Sequence, residues 1–144
     1  ARRILANSER LGTKCIQLLV ADSNDLLAKH PEWEAYFHRI LIDAPCSGLG
    51  TLARHPDARW RMNQNNIQEL VVLQAQLLKS LVPLLKSGGK LVYCTCTIHP
   101  NENTNQIRKF LKINSKFLLE YEKQIWPGEE GNGDGFYIAV LNKL

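Results

Sequence analysis

Residues 91–103 read LVYCTCTIHPNEN, and the reading of this stretch decides the fold. Leu91, Val92 and Tyr93 are strand formers, with Gly88-Gly89 punctuating the chain just before them. Pro100 presets the backbone for a helix whose first turn holds Asn101, Glu102 and Asn103. The stretch is therefore a buried strand, a turn and a helix start. Two thiols, Cys94 and Cys96, sit at the strand's C-terminal end, where ligands and chemistry collect in an open α/β sheet. Side chains alternate along a strand, so residues two apart share a face. One thiol is expected to pack, and Cys96, nearer the strand end, to project into the crevice.

Upstream, a long amphipathic helix is expected over 64–86, capped by Asn63. Its stripe is Ile67, Leu70, Val71, Leu77, Leu78, Leu81 and Leu85, with Pro83 distorting the last turn and Gly88 ending it. Before it, Arg39–Ile42 reads as a strand running into DAPCSGLG at 43–50. A carboxylate at a strand end, followed by a Pro-Cys corner and glycines, has the composition of a site loop or of a turn around a buried cysteine. Between these elements lie Arg54, Arg59, Trp60 and Arg61. Cations interleaved with an aromatic suit a nucleic-acid backbone with a stacked base, and equally a solvated basic loop.

Outward again, residues 1–11 read as the end of a helix stopped by Gly12, and CIQLLV at 15–20 as a short strand ending at Ala21-Asp22. A helical turn is expected in 23–30. Downstream, the spacing predicts a helix over 101–113, a strand over 116–120, a glycine-rich acidic loop over 126–135 and a closing strand, FYIAVL, at 136–141. This alternation gives the α/β class, with a mostly parallel sheet and room for one antiparallel strand.

Length and composition set modest bounds. The 144 residues hold one domain with a real core, and 44% hydrophobic content is ordinary for a globular protein. A net charge of +4 fits an acidic partner without demanding one. No apolar run is long enough for a membrane span. Cys15, Cys46, Cys94 and Cys96 match neither a zinc pattern nor a secreted disulfide scaffold, which points to reduced thiols in a cytosol-like, cytoplasmic setting.

Two strand-end motifs thus stand in order, DAPCSGLG at 43–50 and YCTCT at 93–97, followed by PNEN at 100–103. The pair closely resembles the RNA cytosine-C5 methyltransferases of the Sun/Fmu type, which act on small-subunit (16S) ribosomal RNA. RHPDARW at 54–60 is similar to the Sun-type extension of the first motif, and DGFYIAVL at 134–141 to the closing strand. The resemblance implies the C-terminal part of a Rossmann-like fold, S-adenosyl-L-methionine as cofactor, ribosomal RNA as partner, and neither a membrane nor a metal. By the same resemblance Cys96 is the nucleophile that adds to cytosine C6, and Cys46 is the cysteine of product release. Asp43 lines the base and cofactor site, and Asp22 contacts the adenosyl part of the cofactor. Arg54, Arg59, Trp60 and Arg61 are the expected RNA contacts.

The chemistry suits these residues. Cytosine C5 is a poor nucleophile until a thiolate adds at C6, and a cysteine both adds and leaves readily. A helix start just downstream would help lower the pKa of Cys96. The chain reads as a partial catalytic domain over 1–144, lacking the family's Gly-rich cofactor loop and N-terminal RNA-binding domain. Two family strands would then be missing between 16–20 and 39–43, leaving a gap, a direct pairing of these strands or strands borrowed from another copy. Three other readings compete: a DNA cytosine-C5 methyltransferase with Cys46 as nucleophile, a metal-binding module on Cys46, Cys94 and Cys96, and a non-catalytic RNA-binding fragment.

Overall fold

The computed structural model describes residues 2–129, 131 and 133–144. Ala1, within the expected first helix, and Glu130 and Asn132, within the acidic loop, lie outside the described residues. Among the described residues there are five α-helices, α1 (Arg2–Arg10), α2 (Leu26–Lys29), α3 (Ala58–Arg61), α4 (Gln64–Leu81) and α5 (Thr104–Ile113). Among the same residues four strands, β1 (Phe37–Asp43), β2 (Leu85–Thr95), β3 (Phe117–Ile125) and β4 (Phe136–Lys143), form one sheet in the order β1-β2-β4-β3. β1 and β2 are parallel neighbours, and β4 runs antiparallel to both β2 and β3. Three strands therefore share a direction and β4 is the one reversed member, as the α/β reading expects.

Alternation builds the core. Leu91 and Tyr93 of β2 and Tyr137, Ala139 and Leu141 of β4 turn to one face, where they meet Leu78 of α4 and Ile107 and Phe110 of α5. Each such side chain, once fully buried, contributes about 1.5–3 kcal/mol relative to exposure. α4 starts where Asn63 accepts from the Asn66 backbone N–H and the Asn66 side chain accepts from Asn63 N–H, a reciprocal cap. No described helix is long and apolar enough to cross a membrane.

Several boundaries differ from the sequence reading; β3, for one, runs on to Ile125 rather than stopping at 120. α4 ends at Leu81 rather than near residue 86, because Pro83 cannot continue the hydrogen-bond ladder and sits in a 3-10 turn, Val82–Leu84. β2 consequently begins early, at Leu85, and bulges: Phe37 pairs with Leu85 but Arg39 with Lys90. Gly88, at φ 74°, sits within that bulge instead of ending the helix. α5 begins at Thr104, and residues 100–103 form turns, because the side chains of Glu102 and Asn103 are drawn inward.

A further correction concerns 15–20, which forms no strand. Ile16, Leu19 and Val20 are exposed, and among the described residues no strand lies beside them. A strand persists only with a neighbour to take its hydrogen bonds. Of the three outcomes foreseen for this region, direct pairing of 16–20 with β1 is excluded.

Candidate functional site

The parallel register sets Asp43 opposite Cys94, so β1 and β2 end side by side and their following loops share one sheet edge. Ala44 N–H donates to the Cys94 carbonyl at 2.9 Å, and Gly50 N–H to the Cys96 carbonyl at 3.0 Å. These bonds lace the 43–50 loop onto the 94–97 turn. Cys46 and Cys96 sulfurs lie 3.4 Å apart, both half-buried. The strand spacing predicts a separation within roughly 10 Å, and the structure is well inside it. Cys94 is buried, with its thiol 3.4 Å from the Ile42 carbonyl, so it packs as expected.

Burial pushes the Cys46 thiol up to about 12, with the neighbouring Cys96 adding to the effect against opposing backbone hydrogen bonds. At neutral pH Cys46 is therefore protonated, and either sulfur of the pair is placed to donate to the other. The expected helix start beside Cys96 is not there: α5 begins only at Thr104. What adjoins the Cys96 sulfur is the Cys46 thiol.

Behind the sulfurs lies a polar cluster. Glu102 is fully buried, and its Oε1 accepts from Ser47 N–H at 2.9 Å and Gln74 Nε2 at 3.0 Å. Its Oε2 accepts from Ser47 Oγ at 2.5 Å and Thr97 Oγ1 at 3.3 Å. Asn103 donates to the Thr97 carbonyl at 2.9 Å and accepts from Thr95 Oγ1 at 2.6 Å. Sequence reasoning placed Glu102 and Asn103 in the first turn of a helix and gave Ser47, Thr97 and Gln74 no role. One signal was available: Gln74 falls three residues after Val71 and four before Leu78, a polar side chain on the core face of α4.

Asp22 and Asp43 line one crevice of about 450 Å³, together with Leu41, Ile42, Pro45, Leu73, Leu77 and Leu81. Asp22 accepts from Asn24 N–H at 2.9 Å, so a side-chain bond fixes it although no strand precedes it. Carboxylates beside an aliphatic wall fit a nucleoside, whose hydroxyls and amino group donate and whose base is flat and apolar.

The basic residues are less uniform than the sequence suggests. Arg54 donates through Nε to Asp134 Oδ2 at 2.8 Å, and its guanidinium holds the Asp134 carboxyl below the usual range. Arg61 pairs with Asp57 at 2.5 Å. Arg59 and Trp60 stand exposed on α3, Trp60 at 85%. Two of the three arginines thus already face a carboxylate. Among the described residues no group of three His, Cys, Asp or Glu side chains is placed to hold a metal.

The chain has clear relatives. The family described as 16S rRNA methyltransferase RsmB/F matches residues 1–142. Ribosomal RNA small subunit methyltransferase B of Shigella flexneri is 42% identical over 98% of this chain and 34% of its own length. The protein of that name from Proteus mirabilis is 45% identical over 80% of this chain and 28% of its own. The chain therefore spans about a third of the length of these relatives. Among solved structures, PH0851 superposes with a TM-score of 0.88 at 35% identity, over 99% of this chain and 34% of that one. NSun6 from Pyrococcus horikoshii with SFG gives 0.79 at 26% identity, over 99% and 38%.

Proposed function

Since this chain belongs to the 16S rRNA methyltransferase RsmB/F family, we propose that it carries the thiol half of an active site methylating cytosine C5 in small-subunit ribosomal RNA. The observation that supports this most is the 3.4 Å contact between Cys46 and Cys96 at the shared end of two parallel strands. In this reading S-adenosyl-L-methionine, when bound, supplies the electrophilic methyl group. Asp22 and Asp43 would hold it, accepting from its hydroxyls or amino group, with Leu73 and Leu77 covering its base.

The sulfurs divide the work by protonation. In this reading Cys46, which burial keeps protonated, donates to Cys96, and Cys96 is the sulfur that attacks. A bond forms between Cys96 sulfur and cytosine C6, and electron density moves to C5. Asp43, exposed at the β1 end, meets the N3/N4 edge of the base and stabilises charge there. Once C5 carries the methyl group, Cys46 passes its proton to the departing Cys96 sulfur and takes the proton from C5. The C6–S bond breaks, aromaticity returns, and both sulfurs end as thiols. The proton count is conserved.

The DNA-enzyme alternative would make Cys46 the nucleophile, yet that is the thiol whose burial resists ionisation. Incubating full-length protein carrying this chain with labelled S-adenosyl-L-methionine and small-subunit RNA tests the proposal. Label recovered as 5-methylcytosine supports it. Label on another base or atom, or none with an otherwise folded and RNA-binding protein, overturns it.

A further inference from the structure

Glu102 is the most heavily hydrogen-bonded carboxylate among the described residues. It lies fully buried between the two loops that carry the thiols. Ser47, its partner in the first loop, follows Cys46 directly, and Thr97, its partner in the second, follows Cys96 directly. Ser47 and Thr97 hydroxyls also touch each other at 2.8 Å. From α4, Gln74 Nε2 bridges the carboxylate to the carbonyl of Pro45, the residue before Cys46, at 2.9 Å. Tyr93 OH fixes the Glu102 backbone carbonyl at 2.7 Å. The carboxylate thus holds the residue next to each sulfur, while α4 and β2 hold the carboxylate.

We infer that Glu102 is a positioning residue: by gathering Ser47, Thr97 and Gln74 it sets the separation of the Cys46 and Cys96 sulfurs. Removing it leaves the Ser47 backbone N–H, which has no rotamer by which to escape, without its acceptor, and takes one acceptor each from Ser47 Oγ, Thr97 Oγ1 and Gln74 Nε2. Buried donors without acceptors are costly, so the loops relieve the loss by parting and admitting solvent. Glutamine preserves the shape. Its carbonyl accepts from Ser47 N–H and Gln74, while its NH2 donates to the two hydroxyls, which turn to accept. The catalytic consequence rests on the two-thiol reading above, but the geometric claim does not.

A trivalent arsenical, phenylarsine oxide, reads the geometry directly. It condenses with two close thiols, exchanging its As=O oxygen for two As–S bonds and releasing water. The measurement uses the 144-residue chain with Cys94 replaced by Ala, so that this buried third thiol beside the pair takes no part. Glu102→Gln should capture the arsenical nearly as well as the parent. Glu102→Ala should capture it about tenfold more weakly or worse, because parted loops lower the effective concentration of the second thiol. A folded Glu102→Ala chain with unchanged capture overturns the inference. Should that variant not fold, Ser47→Ala and Thr97→Val serve, each removing one hydroxyl. Weaker capture by both is expected, and unchanged capture by both overturns the inference.

In full-length protein, Glu102→Ala should lower kcat for methyl transfer and leave KM for RNA unchanged, with Gln restoring most of kcat. An unaltered kcat overturns the catalytic consequence. Glu102-dependent capture in a protein that methylates no cytosine would sink the functional proposal and leave the positioning claim standing.

Discussion

Replacing Gly50 with alanine tests how the site's loops are held together. Gly50 lies where the loop after β1, the turn after β2 and the segment before β4 meet. A Cβ there would stand 2.1 Å from the Gly135 carbonyl oxygen, 2.7 Å from its carbon and 2.8 Å from the Cys96 carbonyl oxygen. All three are backbone atoms, so no side-chain rotation makes room. The chain must give up the two hydrogen bonds that Gly50 makes, N–H to Cys96 carbonyl at 3.0 Å and carbonyl from Gly135 N–H at 2.7 Å. Those bonds are worth about 1 kcal/mol each, and overpacking adds about 1–3 kcal/mol. The expected loss is thus about 3–5 kcal/mol, a large part of the roughly 5–15 kcal/mol that holds a domain folded. Urea unfolding followed by circular dichroism measures it. Gly133→Ala is the matched control, since among the described residues a Cβ there meets nothing within 4 Å, and it should stay within about 0.5 kcal/mol of the parent. A Gly50→Ala midpoint indistinguishable from that control would refute the three-loop junction.

Two further outcomes are expected. Folding raises the Cys46 thiol from 9.0 to about 12 and Cys94 to about 11, mainly by burial. Between those limits the native state binds more protons than the unfolded chain, so the stability is fully present below pH 9 and is lost as pH rises toward 12. Urea midpoints at intervals above pH 8 should fall, and Cys46→Ser should make the fall between pH 9 and 10 shallower; an unchanged slope would contradict the assignment. For RNA, Arg54 and Arg61 are already engaged by Asp134 and Asp57, so Arg59→Ala should lose the most affinity and reduce the salt slope by about one. Binding isotherms at several salt concentrations decide it, and an Arg54→Ala effect larger than that of Arg59→Ala would reverse the ranking.

What the sequence made legible follows the range of the forces involved. β1, the body of β2, α4 and β4 were readable because period-2 and period-3.6 apolar patterns are local, as was the cap at Asn63. The meeting of Cys46 and Cys96 was readable because a strand–helix–strand unit joins neighbouring parallel strands, which brings their ends together. The segment 15–20 misled, since an apolar run states only that burial is favourable and not that a hydrogen-bonding neighbour exists. The start of α5 misled for a different reason. Pro100, Glu102 and Asn103 have the composition of a helix entry, but long-range hydrogen bonds to Ser47, Gln74, Thr95 and Thr97 outweigh local capping. Ion pairs across 80 residues, such as Arg54 with Asp134, leave no local pattern at all.

The division of labour between the two sulfurs is the central claim, and one gel tests it most directly. Full-length protein with Cys46→Ala, and separately with Cys96→Ala, is incubated with small-subunit RNA and S-adenosyl-L-methionine and then run under denaturing conditions. The account predicts a denaturant-resistant protein–RNA adduct for Cys46→Ala, where attack at C6 proceeds and release stalls, and none for Cys96→Ala. An adduct that forms with Cys96→Ala and disappears with Cys46→Ala would make Cys46 the nucleophile and contradict the account.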